Sequence, residues 1–146
     1  MSKKPVGIGV SQNVMSVGQD EIAANLSTKL GKFQIVYDKC SPELQQIFLV
    51  LVNKFATYPV EQYATDKPDY RFSKGGVFCC TVLQSKKNCL LIQLRVDNHN
   101  ISSNLLTLEV SKDSRPGKRW LDFRVNHESQ INEAFRILEE ASRFND

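Results

Sequence analysis

Residues 77–125 hold runs of strand-like alternation in close succession, and one amphipathic helix follows them, a pattern few architectures accommodate. Apolar and polar side chains alternate through 77–83, 89–96, 105–110 and 119–125, the period of a half-buried strand. The connection 84–88 is of hairpin length, and 111–118 is turn-rich around Pro116-Gly117. A shorter strand is expected at 70–72. After Asn126, a residue able to cap a helix, Ile131, Ala134, Phe135, Leu138 and Ala141 recur at helical spacing. Upstream, Ser41 and Pro42 suit the N-cap and first helical positions, and Leu44, Ile47, Phe48, Leu51, Val52 and Phe55 make one apolar stripe that ends before Pro59. These elements predict an α+β fold: a two-layer sandwich in which an antiparallel meander of about five strands carries two helices, 41–56 and 127–143, on one face.

Alternation assigns the faces. Phe78, Cys80, Val82, Leu90, Ile92, Leu94, Val96, Leu106, Leu108, Val110, Leu121, Phe123 and Val125 should face the helices. Thr81, Gln93, Arg95, Thr107, Glu109, Trp120, Asp122 and Arg124 should form an open, polar face. Residues 1–40 are expected to be an N-terminal arm with a short helix, capped by Asp20 and stopping at Gly31, while 33–37 fits either a short strand or an apolar approach to the next helix. Residues 41–146 form the domain.

With 146 residues the chain can bury one core without staples. No apolar run approaches the roughly 20 residues that span a bilayer, and the first residues lack the long apolar stretch of a signal peptide. A cytoplasmic protein without membrane attachment is expected. Cys40, Cys79, Cys80 and Cys89 have no metal-ligand spacing, and adjacent Cys79 and Cys80 would point to opposite faces of a strand. Reduced thiols, no metal and no cofactor follow. His99 and His127 have no nucleophile in the required local context, and Gly7-Ile8-Gly9 is too short for a phosphate loop. Hence no catalytic residues are assigned, and a non-enzyme is expected.

The segment 41–144 resembles a small, largely uncharacterised bacterial domain that carries the label "predicted transport protein". That domain occurs alone or appended to restriction-type and other nuclease-associated proteins. The likeness rests on the opening helix, the approach strand Lys67-Pro68-Asp69-Tyr70-Arg71-Phe72, the apolar hairpin 77–96, and the closing run Gly117-Lys118-Arg119-Trp120-Leu121-Asp122-Phe123-Arg124-Val125 before the last helix. Arg119-Trp120-Leu121 departs from the family's usual His-Trp-Gly. The resemblance implies the fold and an accessory role beside nucleic-acid enzymes, and it implies no catalytic residues.

Charge supplies the main functional lead. Residues 67–125 carry eleven basic and five acidic side chains, whereas 126–146 carry two and five. In a meander, loops 84–88 and 111–118 emerge at the same end of the sheet. Lys86, Lys87, Lys112, Arg115, Lys118 and Arg119 would then gather at one edge, with Trp120 at its base as a stacking surface and Ser85, Ser111 and Ser114 as neutral phosphate contacts. His99 and His127 would both fall at the other end. On the open face, Glu109 should lie opposite Asp122, with Arg95 and Arg124 diagonal to them as neutralisers beside Gln93. The expected protein is a non-catalytic binding module that meets nucleic-acid backbone at the basic tips, as an accessory to a DNA-processing or defence system. The alternative is a protein–protein module using the open sheet face or the strand edge at 70–73.

Overall fold

The computed structural model describes residues 31–145. The arm and the helix capped by Asp20 lie outside the described residues. Helix α1, Gly31–Asp38, occupies the stretch that the sequence left open. A strand would have put Phe33, Ile35 and Tyr37 on one face. The helix instead turns Phe33 and Tyr37 inward and leaves Ile35 57% exposed. Phe33 packs on Phe48 and Tyr70, with ring centroids 5.0 and 5.5 Å apart, so the core extends N-terminal of Ser41.

Helix α2, Pro42–Lys54, begins as its sequence demands: the Ser41 side chain accepts from the Leu44 N–H at 3.1 Å, and Pro42 opens the first turn. The last helix starts one residue later than expected. His127, not Asn126, is the cap: its Nδ1 accepts from the Ser129 N–H at 3.0 Å, while Gln130 Oε1 accepts from the N–H groups of His127 and Asn126. A 3-10 turn, Glu128–Gln130, leads into α3, Ile131–Ser142. Leu44, Ile47, Phe48 and Leu51 from α2, and Ile131, Ala134, Ile137, Leu138 and Ala141 from α3, are buried. Among the described residues no helix is long and apolar enough to cross a membrane.

The described strands are β1 (Glu61–Ala64), β2 (Asp69–Ser73), β3 (Val77–Gln84), β4 (Cys89–Arg95), β5 (Glu109–Val110) and β6 (Trp120–Val125). Every neighbouring pair is antiparallel, and their order in space is β1-β2-β3-β4-β6-β5. The α+β two-layer fold is thus as expected, with β1 and α1 added.

Two differences matter for function. First, β6 rather than β5 lies beside β4, so the sheet is not a simple meander. Leu90, Ile92 and Leu94 face Val125, Phe123 and Leu121 across the two strands, and all six are buried. The intervening segment is drawn away over α3: Ser103 Oγ donates to Glu133 Oε2 at 2.6 Å, and Arg136 Nη2 donates to the Ser102 carbonyl at 2.9 Å. It rejoins the sheet only at Glu109–Val110, where Val110 is 62% exposed because the edge lies beyond the helices.

Second, β3 changes phase at a β-bulge. Phe72 pairs with Cys79 and Ser73 with Val77, leaving Phe78 as the extra residue. Phe78 and Cys79 are therefore both buried, and beyond them Thr81 and Leu83 face the core opposite Ile92 and Leu90. Cys80 and Val82 turn to the open face, the reverse of what simple alternation predicts. Buried Thr81 is satisfied locally, donating to the Tyr70 carbonyl at 2.9 Å.

Candidate functional site

The strand order separates the two basic loops. The turn 85–88 joins β3 to β4 at the end of the sheet that holds Gln84, Cys89 and Val125, and Asn88 closes it with φ +53°. Ser41 Oγ donates to Asn88 Oδ1 at 2.9 Å, which fixes this turn beside the start of α2. Lys86 and Lys87 are exposed there. Trp120 pairs with Arg95 at the last residue of β4, so the loop 111–118 emerges at the opposite end. The length of β4 sets the two ends on the order of 20 Å apart, at ~3.4 Å per residue. The six cations therefore form no single cluster. His99 and His127 are likewise divided: His99 sits at the hairpin end and His127 at the other.

What the structure does gather is the hairpin itself. The Arg115 N–H donates to the Lys118 carbonyl at 3.0 Å, and the Lys118 N–H donates back at 2.8 Å. Pro116 supplies the fixed φ of the first turn position, and Gly117, at φ +76°, supplies the left-handed second one. Arg115 and Lys118 thus flank a tight tip, and both are exposed along with Lys112. Ser111 and Ser114 brace the base rather than facing outward. Ser114 Oγ accepts from the Trp120 N–H at 3.0 Å and donates to its carbonyl at 3.2 Å, while Ser111 Oγ accepts from the Asp113 N–H. Neither hydroxyl is free for phosphate, contrary to the expectation, and Ser85 lies at the other end.

Arg119 and Trp120 leave the base of the hairpin on opposite faces, because neighbouring strand residues alternate. Trp120 is half-buried on the open face with Asp122 and Arg124. Arg119 turns to the helix side, where its Nη2 donates to the His99 carbonyl at 2.6 Å while its buried Nε has no hydrogen-bond partner. The His99 ring stacks on Phe144 at 3.9 Å with 11° between planes. Sequence reasoning noted His99 but missed this pairing. It joins a loop to a residue 45 positions onward, and no local signal announces it.

The open face carries a charge mesh different in detail from the one expected. Glu109 does lie opposite Asp122. Their neighbour is Gln93, whose Nε2 donates to Asp122 Oδ1 at 3.3 Å and to Asp113 Oδ2 at 3.4 Å. Arg95 is held instead by Asp97, with its Nε 3.1 Å from Oδ1, and Arg124 donates to Gln84 Oε1 at 3.3 Å. Arg71 is paired to Asp69 at 2.8 Å, and this pair with the Thr65 hydroxyl outweighs burial to hold the Asp69 carboxyl below its ordinary range. Between these polar groups, Val82 and Leu91 face each other, half-buried, with no described helix over them.

The cations therefore sort into two kinds. Arg71, Arg95, Arg136 and Arg143 each have a carboxylate partner. Among the described residues, no ion pair engages Lys112, Arg115, Lys118 or Arg119 at the hairpin end, nor Arg124 or the turn lysines Lys86 and Lys87. Among the same residues, no group of three His, Cys, Asp or Glu side chains could hold a metal ion. The four cysteines are free thiols, and burial raises the thiol pKa of Cys40, Cys79 and Cys80, Cys79 most of all. Such thiols stay protonated and nucleophilically weak. No family model, no curated protein and no solved structure matches the chain.

Proposed function

We propose that this protein is a non-catalytic module that binds nucleic-acid backbone through the hairpin end of its sheet. The observation that carries the reading is the gathering of Lys112, Arg115, Lys118 and Arg119 around one tight hairpin, none of them in an ion pair among the described residues. Surface cations normally gain little from pairing, so leaving the exposed Lys112, Arg115 and Lys118 unpaired costs the fold little. It leaves them ready to displace counterions from a polyanion. Asp113 is the one acid within the hairpin, and it is drawn toward Gln93. Trp120, at the hairpin base, is the ring available for stacking. Backbone contacts of this kind carry little sequence preference. The sequence resemblance of 41–144 to the bacterial domain found beside nuclease-associated proteins would imply an accessory role in DNA processing or defence, for which a cytoplasmic location is proposed.

The separation of the two basic loops makes the test sharp. Changing Lys112, Arg115 and Lys118 together to Ala should flatten the slope of log affinity against log salt by about 2–3, if each meets one phosphate. Changing Lys86 and Lys87 should leave the slope near wild type. Equal effects from the two variants, or no affinity of the wild type for DNA or RNA at ~50 mM salt, where phosphate contacts are strongest, would sink the reading. One observation favours a second reading. The open face has paired charges around the apolar Val82–Leu91 centre, which suits a protein partner better than a phosphate chain.

A further inference from the structure

At the hairpin end, basic groups and exposed ring faces occur together on both sides of the sheet. Trp120 lies on the open side. On the helix side, the exposed His99 ring already forms a two-layer stack on Phe144. The His99 backbone beneath the stack is held on both sides: its N–H donates to the Val96 carbonyl at 2.8 Å, and its carbonyl accepts from Arg119. A platform fixed before binding needs no ordering when a ring settles on it. Beside it lies a cleft whose lining combines apolar Phe78, Val96 and Phe144 with polar Arg95, Asp97 and Asn98. Those are the features that receive an unpaired base: a ring face, a cation nearby for the phosphate, and polar groups for the base edge. Within a duplex the ring faces are already stacked on neighbouring pairs, and only the two ends present one.

We infer that the nucleic acid taken at this end is single-stranded, with one base stacked on His99 over Phe144 and its phosphates on Arg119 and the hairpin lysines. This rests on the reading of the hairpin as a nucleic-acid contact and narrows it to one class of strand. Trp120 would take a second base on the open side, as the strand passes across the end of the sheet. DNA and RNA share this chemistry.

The test uses oligo-dT, oligo-U, a DNA duplex of matched length and inorganic polyphosphate as probes of the full chain at ~50 mM salt. The salt is chosen because phosphate contacts are strongest when counterions are few. The emission of Trp120, the chain's only tryptophan, and fluorescence anisotropy are the readouts. Both single strands should bind more tightly than the duplex and quench the tryptophan. His99→Ala should weaken single-strand binding ~5–150-fold, the usual loss for one stacked base, without altering duplex or polyphosphate binding. His99→Phe should restore it, which a merely structural role for His99 would not predict. Equal affinity for single strand, duplex and polyphosphate, unchanged by His99→Ala, overturns the single-strand inference while leaving the hairpin reading intact. Failure of every polyanion to bind overturns both.

Discussion

Glu133 shows how one side chain couples the crossover segment to the rest of the molecule. Arg136 Nε donates to its Oε1 at 2.8 Å and Ser103 Oγ to its Oε2 at 2.6 Å, and these bonds lower its carboxyl pKa to about 2. A carboxylate with a depressed folded-state pKa contributes stability that is complete above its ordinary value of 4.5. That contribution is lost as pH falls from there through about 2, because the unfolded chain takes up the proton first. Urea midpoints of wild type and Glu133→Gln should therefore differ at pH 6 and converge toward pH 2. A gap that stays constant across that range would show the carboxylate charge to be irrelevant. Phe123 is a site of another kind, 1% exposed and opposite Ile92 in the middle of the sheet. Phe123→Ala should cost ~3–5 kcal/mol in equilibrium unfolding, the usual penalty for emptying an aromatic core position. A loss below ~1 kcal/mol would contradict its burial.

Among the elements, the helices were the most legible. Ser41-Pro42 and the stripe from Leu44 to Leu51 specify α2 almost completely, and the Ile131–Ala134–Leu138–Ala141 stripe specifies α3. The faces of β4 and β6 were legible for the same reason, a period that nothing interrupts. In β3 the alternation broke at Phe78-Cys79, where two consecutive apolar residues suit either phase. Only the pairing with Phe72 and Ser73 decides between them. β1 has no strong period, its Glu61-Gln62-Tyr63-Ala64 being drawn in by pairing with β2. The phase of β3 is directly testable. A small alkylating reagent should modify half-buried Cys80 in the native state well before Cys79 and Cys89, which are 0% and 4% exposed. Peptide mapping that finds Cys79 labelled as fast as Cys80 would restore the simpler alternation.

Across the whole molecule, the candidate site was legible in kind but not in place. The hairpin residues and Trp120 were identifiable because Pro116-Gly117 marks a turn and the cations crowd around it. Which other loop joins them depends on strand order, and no residue in 105–125 states whether β5 or β6 lies beside β4. That choice is made by long-range packing of Leu121, Phe123 and Val125, and it moves Lys86 and Lys87 to the far end. The same strand order fixes a sequence of events in time. β5 meets β6 across the short local loop 111–119, whereas β6 reaches β4 only by closing a loop over residues 96–119. Closing such a span costs chain entropy before any contact repays it, so the β4–β6 encounter becomes the slow step of assembly. The hairpin of β5 and β6 would then dock on β4 as one unit, carrying its two-residue strand to the rim of the sheet.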